Sequence, residues 1–463
     1  MSALSWLGAA QTAAAVAEGR HAARAVVQAA LDRIAAGNAR LNAFTDVTAA
    51  RALARAEAID AARAAGAALG PLAGVPFAVK NLFDLAGLPT RAGSAINRSR
   101  PPAATDAELV RRLEAAGAIL VGALNMGEYA YDFTGENRHD GASRNPHDVT
   151  RMSGGSSGGS GSAVAGGLVP LALGSDTNGS IRVPAALCGL FGLKPTFGRL
   201  PRTGTFPFVA SLDHLGPLAR SVEDLALAYD AMQGPDPNDP ACAERPAEPV
   251  RGRLAQGIGG LRIARAGGYF RAGLMPPAAA AVDAVAAALG VGREVAIPDA
   301  ARARAAAFLI TTTEAAALHL GRLRERPGDF DPDVRDRLIA GSMVPATMVM
   351  QAQKFRRQYR DAVLALFDGV DAILAPATPC SAPLLGQKSF VLDGVELPVR
   401  PNLGLFTQPI SLIGLPVVAV PVFMGGLPLG VQVIAAPWRE DVALRIARHL
   451  EAAGVAVAQR PAA

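Results

Sequence analysis

From Gly74 onward the chain alternates short apolar runs with helical stretches, and this alternation constrains its architecture more than any other feature. Val75–Val79, Ile119–Leu124 and Leu168–Leu173 are each short enough for a strand and apolar enough for a buried one. A helix is predicted over Asp106–Ala116, between the first two, and another begins near Gly158, before the third. Strand–helix alternation of this kind calls for an α/β sheet with helices on its faces.

The flanking regions differ in texture. Residues 8–66 read as two or three helices, with apolar residues at helical spacing in Ala22–Ile34 and Ala49–Ala65. Residues 1–66 are therefore expected to form an N-terminal helical region, and residues 67–463 the α/β domain. A polar, Pro-rich connection at residues 234–256 fits either a domain boundary or a surface excursion from one continuous sheet. A second α/β stretch follows, with a strand from Leu261–Ala264, helices over Pro276–Leu289 and Ala300–Arg326, and closing strands at Ile373–Ala375, Val417–Val422 and Gly430–Ile434. A single compact domain overall is the expectation.

Composition excludes several classes of function. Half of the 463 residues are hydrophobic, enough for a large core, but aromatics are only 5%, so small aliphatics must build it. The net charge of +5 comes without a polybasic run, and the arginines of residues 20–40 and 51–63 are interspersed with acids and alanines, as on solvated helix faces. Nucleic-acid binding is not expected. Cys188, Cys242 and Cys380 share no short spacing, which points away from zinc and disulfides and toward a reducing cytoplasm. Met1–Gly19 lacks a basic n-region and is interrupted by Gln11 and Thr12, unlike a signal peptide. No stretch is apolar enough to cross a bilayer without turn residues, so a soluble chain away from membranes is expected.

The densest local signal is Arg151-Met-Ser-Gly-Gly-Ser-Ser-Gly-Gly-Ser-Gly-Ser162. A flexible linker has such a composition, but this stretch runs straight into Ala163–Pro170 with no polar continuation. A second Gly/Ser turn, Gly174-Ser-Asp-Thr-Asn-Gly-Ser-Ile-Arg182, follows after one strand. A phosphate-cradling loop would end in Gly-Lys-Ser/Thr, and no lysine lies in residues 151–193. The dinucleotide fingerprint lacks a predicted strand feeding Gly154. Nucleophilic catalysis remains: a serine needs a base and backbone N–H donors aimed at the oxyanion. The turn Asp176-Thr-Asn-Gly-Ser180 can direct several N–H groups to one point, because Gly and Asn tolerate left-handed conformations.

The base is less obvious. None of the six histidines sits in a triad motif, although His139, His147 and His214 lie nearest in sequence. Lysine is the better candidate. The chain has forty-one arginines and four lysines, yet Lys80 closes the apolar run Gly74-Val-Pro-Phe-Ala-Val-Lys-Asn81. Arginine cannot deprotonate at workable pH, whereas a buried lysine can. Lys194, in Gly192-Leu-Lys-Pro-Thr196, reads as a structural lysine in a loop.

The block from Gly154 to Ser160, together with Gly174 to Thr196, closely resembles the amidase signature family. Further points of likeness are the lysine segment Gly74–Asn81, Glu136-Asn137, Asp213-His-Leu-Gly-Pro217, Ala375-Pro-Ala-Thr-Pro379, Gly414–Val418 and Leu427–Gln432. The resemblance spans about residues 70–440. It implies a large mixed, twisted β-sheet covered by helices on both faces. It also implies a Ser–Ser–Lys triad, with Ser180 as nucleophile, Ser156 as bridging serine after a cis peptide from Gly155, and Lys80 as base. The backbone N–H groups of Thr177, Asn178, Gly179 and Ser180 would form the oxyanion hole. Ser157, Asp176 and Arg182 would support the site, the last two as a buried charge pair.

A finer resemblance is to the branch that includes 1-carboxybiuret hydrolases, through Asp176-Thr-Asn-Gly-Ser180, Arg144-Asn-Pro-His-Asp148 and Ser211-Leu-Asp-His214. It implies hydrolysis of an amide or ureido C–N bond in a small polar substrate, with release of ammonia and no metal or organic cofactor. It also implies a small partner subunit. The alternatives are a catalytically silent assembly subunit, or the glutamine-hydrolysing component of an amidotransferase. Asn178 stands where most relatives have glycine. Gly127 and Asp132 stand where relatives usually have an acid and a glycine. For an anionic substrate, Arg322, Arg324, Arg326 and Arg356 are candidate carboxylate partners, against a reading as solvated helix positions.

Overall fold

A computed structural model describes residue 4 and residues 6–462. The segment read above as lacking a leader includes residues 1–3 and 5, which lie outside the described residues. In chain order the strands are β1 (Phe44–Val47), β2 (Pro76–Lys80), β3 (Ile119–Leu124), β4 (Arg144–Asn145), β5 (Asp148–Met152), β6 (Leu171–Asp176), β7 (Phe191–Lys194) and β8 (His214–Ala219). After these come β9 (Ile263–Ala266), β10 (Glu294–Val295), β11 (Ala372–Pro376), β12 (Ser389–Leu392), β13 (Val395–Pro398), β14 (Val417–Phe423) and β15 (Pro428–Ala435). Eleven of them form one sheet in the order β1-β3-β2-β6-β8-β7-β14-β15-β11-β9-β10, while β4 with β5 and β12 with β13 make separate two-stranded pairs.

The sheet is mixed. Strand β2 runs parallel to β3 and β6, and β9 runs parallel to β10 and β11; the other pairings are antiparallel. Strand alternation divides the core in two. Phe77, Val79, Leu120, Leu171 and Leu173 enter one cluster, while Ala78, Ile119, Val121 and Ala172 enter the other. Helices cover both. Leu109, Val110 and Leu113 of the helix Glu108–Ala115 pack on the first face. Helices Ala23–Leu41, Ala49–Ala64 and Gly158–Ala165 pack on the second. The expected architecture, a large mixed sheet with helices, is the one observed.

Local details depart from expectation where hydrogen bonding overrides apolar pattern. The predicted strand Leu168–Leu173 begins instead at Leu171, because the Leu168 N–H turns back to the Ala163 carbonyl (2.9 Å) and Pro170 has no N–H to pair. Lys194 lies not in a loop but at the end of β7, opposite Val417. Strands on both sides of residues 234–256 belong to the same sheet. Among the described residues of the first 66, the chain forms three helices and also β1, the edge strand beside β3.

Candidate active site

Lys80 is the last residue of β2 and fully buried. Its Nζ lies 2.7 Å from Ser156 Oγ, 2.9 Å from Ser175 Oγ and 3.1 Å from Ser157 Oγ. Burial drives its pKa down to about 7, against the opposing pull of Asp213, Asp176 and Asp132. Ser175 was not singled out from sequence. Its position one residue before Asp176, on a strand beside that of the lysine, is the signal that could have found it.

The two Gly/Ser segments meet at this lysine because β6 pairs directly with β2. Ser156 follows a cis peptide from Gly155, and Ser157 precedes the helix Gly158–Ala165. Ser157 Oγ donates to the Ser175 carbonyl (3.1 Å) while accepting from the Ser175 N–H (3.3 Å). That helix lies against the chain at Asn125, and a Cβ on Gly159 would stand 2.5 Å from the Asn125 backbone.

The second segment turns sharply between β6 and the helix Arg182–Cys188. Asp176 and Arg182 are both fully buried and paired twice, Nε to Oδ2 and Nη2 to Oδ1, each at 2.9 Å. Burial alone would raise the Asp176 carboxyl, but the charge and hydrogen bonds of Arg182 hold it well below the usual range. Arg182 also donates to Gln432 Oε1 (2.7 Å) and to the Thr407 carbonyl (3.2 Å), tying the turn to β15 and to residue 407. Thr177 Oγ1 donates to Asp213 (2.6 Å), and Thr407 Oγ1 donates to the Asn178 carbonyl (2.6 Å). Gly179 has φ +141°, and a Cβ there would stand 2.2 Å from Thr407 Oγ1. Among the described residues, the N–H groups of Thr177, Asn178, Gly179 and Ser180 donate to no backbone or side-chain acceptor.

Ser180, Thr177 and Asn178 line a cavity that opens to solvent. Asn178 Nδ2 donates to Thr311 Oγ1 (2.8 Å), so this side chain both narrows the cavity and bridges to the long helix Ala300–Glu325. Its buried Oδ1 has no partner. Ser180 Oγ makes no hydrogen bond to Ser156; the bonds of the buried cluster run through Lys80 instead. The three candidate histidines are spent elsewhere, His139 on Glu128, His147 on the Cys188 carbonyl and His214 on the carbonyls of Asp176 and Leu212.

Gly127 and Asp132 are sterically coupled. A Cβ on Gly127 would stand 2.4 Å from Asp132 Cβ, so the glycine vacates the volume that the aspartate occupies. Asp132 lines the cavity with both oxygens engaged, by Thr134 N, Thr134 Oγ1, Gly135 N and Arg400 Nη1. The four arginines considered from sequence do not line the cavity. Arg356 donates to the Leu412 and Ser211 carbonyls, Arg326 pairs with Asp329, Arg322 lies over Phe206, and Arg324 is exposed near the end of its helix. The cavity holds Arg337 instead.

Comparison with known proteins decides the family. The family model described as Amidase matches residues 25–444. The chain belongs to the amidase signature family. As an amidase signature protein it is 57% identical to AtzE, a 1-carboxybiuret hydrolase component of Pseudomonas sp. (strain ADP), over 95% of this chain and 97% of that one. It is 39% identical to the A-type component of glutamyl-tRNA(Gln) amidotransferase from Azotobacter vinelandii (strain DJ / ATCC BAA-1303), over 92% and 93% of the two chains. A solved structure described as a vestigial protein complex bearing on the origins of an s-triazine catabolic enzyme matches with TM-score 0.97 and 56% identity, covering 98% of this chain and 100% of that one. The 6-aminohexanoate cyclic dimer hydrolase matches with TM-score 0.87 and 30% identity, covering 99% of each chain. This amidase signature protein is an amidohydrolase acting on C–N bonds.

Proposed function

We propose that Ser180 is the nucleophile, Ser156 the proton relay and Lys80 the base of an acyl-enzyme mechanism acting on a small ureido or amide substrate akin to 1-carboxybiuret. The observation that carries this reading is the fully buried Lys80, hydrogen-bonded to three serines and shifted to about 7. A neutral amine has one lone pair, so one serine hydroxyl donates to Nζ; Ser156, at 2.7 Å, is the shortest contact. Ser156 passes that proton to Lys80 as it takes one from Ser180, whose Oγ forms a bond to the carbonyl carbon. The carbonyl oxygen becomes an oxyanion facing the unspent N–H groups of Thr177, Asn178, Gly179 and Ser180. The C–N bond then breaks as the proton returns through Ser156 to the leaving nitrogen, which departs as ammonia. Water attacks the acyl-enzyme with its proton taken along the same path, freeing Ser180 and the acid.

Ser157, Asp176 and Arg182 support this arrangement without touching substrate. The higher identity to the 1-carboxybiuret hydrolase relative favours a ureido substrate over glutamine. The neighbour described as part of a protein complex supports a small partner subunit. Three unpaired cysteines are in keeping with a reducing cytoplasm, and no described helix is long and apolar enough to cross a membrane.

Ammonia release measured across 1-carboxybiuret, biuret, allophanate, ureido acids, simple amides and glutamine tests the reading. Activity is expected on ureido substrates, with a loss of more than about ten-thousand-fold in Ser180→Ala. Glutamine as the preferred substrate, labelling of another residue by a fluorophosphonate, or an active Ser180→Ala overturns it.

A further inference from the structure

A cleft separate from the catalytic cavity opens beside the end of β7. Strands β6 and β7 both run antiparallel to β8, so the turn that carries Ser180 and the segment after Lys194 leave the sheet at the same edge. One wall of the cleft is built from Thr196 and Phe197, after β7, and from Trp438, after β15. Trp438 has φ +66°, a conformation that bulky L-residues rarely adopt, and its N–H donates to Thr196 Oγ1 (2.8 Å), so its backbone is set in place. The other wall is the helix Ala346–Leu364. Arg360 lies four residues after Arg356 and three after Arg357, so all three share the helix face that lines the cleft.

Among the described residues, no carboxylate lines this cleft. Arg356 is anchored, donating from Nε to the Leu412 carbonyl (2.6 Å) and from Nη2 to the Ser211 carbonyl (2.8 Å). Arg357 and Arg360 are exposed, and among the described residues their guanidinium groups form no hydrogen bond or ion pair; Asp361, one turn beyond Arg357, does not pair with it. Elsewhere on the surface arginines meet acids, as Arg262 meets Asp371, Arg271 meets Asp283 and Arg439 meets Asp441. Here three neighbouring cations repel one another. Burial and the like charge of Arg360 push the Arg356 guanidinium below its ordinary value, against the pull of Glu314.

We propose that this cleft is a second ligand site, which binds a small phosphate compound through Arg356, Arg357 and Arg360 beside Trp438. Three forked cations on one helix face suit a group with several charged oxygens. A phosphate chain offers each guanidinium its own pair of oxygens, whereas a single carboxylate serves only one. The site stands independently of the amidohydrolase reading and goes beyond it.

Calorimetric titration of the full chain with pyrophosphate at fixed ionic strength tests the site. Saturable binding is expected with a Kd below about 1 mM, weakened about ten- to hundredfold when Arg357→Gln and Arg360→Gln are combined. Both side chains are exposed, so the double variant is expected to keep the wild-type denaturation midpoint. In Trp6→Phe, where Trp438 is the one tryptophan left, emission is expected to change with the same midpoint as the heat. Heat without a change at Trp438 would place the anion elsewhere and overturn the proposal. Protein blocked at its catalytic serine by a fluorophosphonate is expected to bind pyrophosphate as tightly as unblocked protein. Loss of binding on blocking would put the anion in the catalytic cavity, which also overturns it. So would an absence of saturable binding, an unchanged affinity in the double variant, or citrate bound as tightly as pyrophosphate. A parallel titration with ADP separates the sources of phosphate. Affinity equal to that of pyrophosphate marks a nucleotide as the ligand, and affinity at least about tenfold weaker marks a free phosphate compound. Either result supports the site when the double variant weakens it.

Discussion

Lys80 concentrates the chemistry in one buried amine whose protonation sets both rate and stability. Its pKa of about 7 lies well below the ordinary lysine value because burial penalises the charged form. The proposed base works only when neutral, so kcat/KM is expected to rise with pH through about 7 and level off above it. A pH–rate profile checks this, and a limb near about 10.4 would contradict it. Lys80→Met is expected to reduce kcat/KM by about a hundred- to ten-thousandfold. The same variant tests stability. Between about 7 and 10.5 the unfolded chain binds a proton that folded Lys80 has released, so this group's contribution to stability falls as pH drops across that window. Lys80→Met is therefore expected to gain on the wild type at pH 7, and the gain to shrink as pH approaches 10, as read from denaturant midpoints. The lysine itself was legible from the sequence because the chain uses arginine almost everywhere else. Arg337 was not: it is one arginine of forty-one, and only the packing of the helix Pro332–Ser342 distinguishes it.

Elements determine how the turn between β6 and the helix Arg182–Cys188 holds its shape. Its backbone is tied down by Asp176 with Arg182, by Thr177 with Asp213, and by Thr407 on the Asn178 carbonyl. Within this turn, an L side chain at Gly179 would meet both an unfavourable φ and a steric block. Gly179→Ala is expected to cost about 1–3 kcal/mol of stability by denaturant titration. Its activity is expected to fall further than that loss implies, because the turn also carries the N–H groups of the proposed oxyanion hole. Adding Thr407→Ala should restore stability only in part, since Thr407 Cβ would still lie 2.8 Å from the new methyl. Seven of the eleven strands of the large sheet were legible as apolar runs. Strand β8 was not, because Pro217 in a central strand contradicts propensity; β7 pairs with it at Leu218 and Ala219, and β6 pairs along its whole length.

At the scale of the whole molecule, one sheet joins the helical N-terminal region to the C-terminal strands, with β1 at one edge and β10 at the other. We propose that residues 1–66 and 67–463 unfold as a unit, with residues 234–256 an excursion from it. The two tryptophans report on opposite parts of the chain, Trp6 beneath Arg220 and Trp438 beneath Arg245. In Trp6→Phe and Trp438→Phe, each left with one fluorophore, the denaturation curves are expected to share a midpoint; separate midpoints would indicate two units. The sequence by itself determined the α/β class, the strand that presents Lys80 and the glycine- and serine-rich turns beside it, because periodicity and turn chemistry are local properties. Only the tertiary structure decided that Ser175 would join Lys80, that Gly127 makes room for Asp132, and that Arg337 rather than Arg322, Arg324, Arg326 or Arg356 would face the cavity. Those outcomes depend on which strands pair and which helices pack across long separations, and no local pattern encodes them.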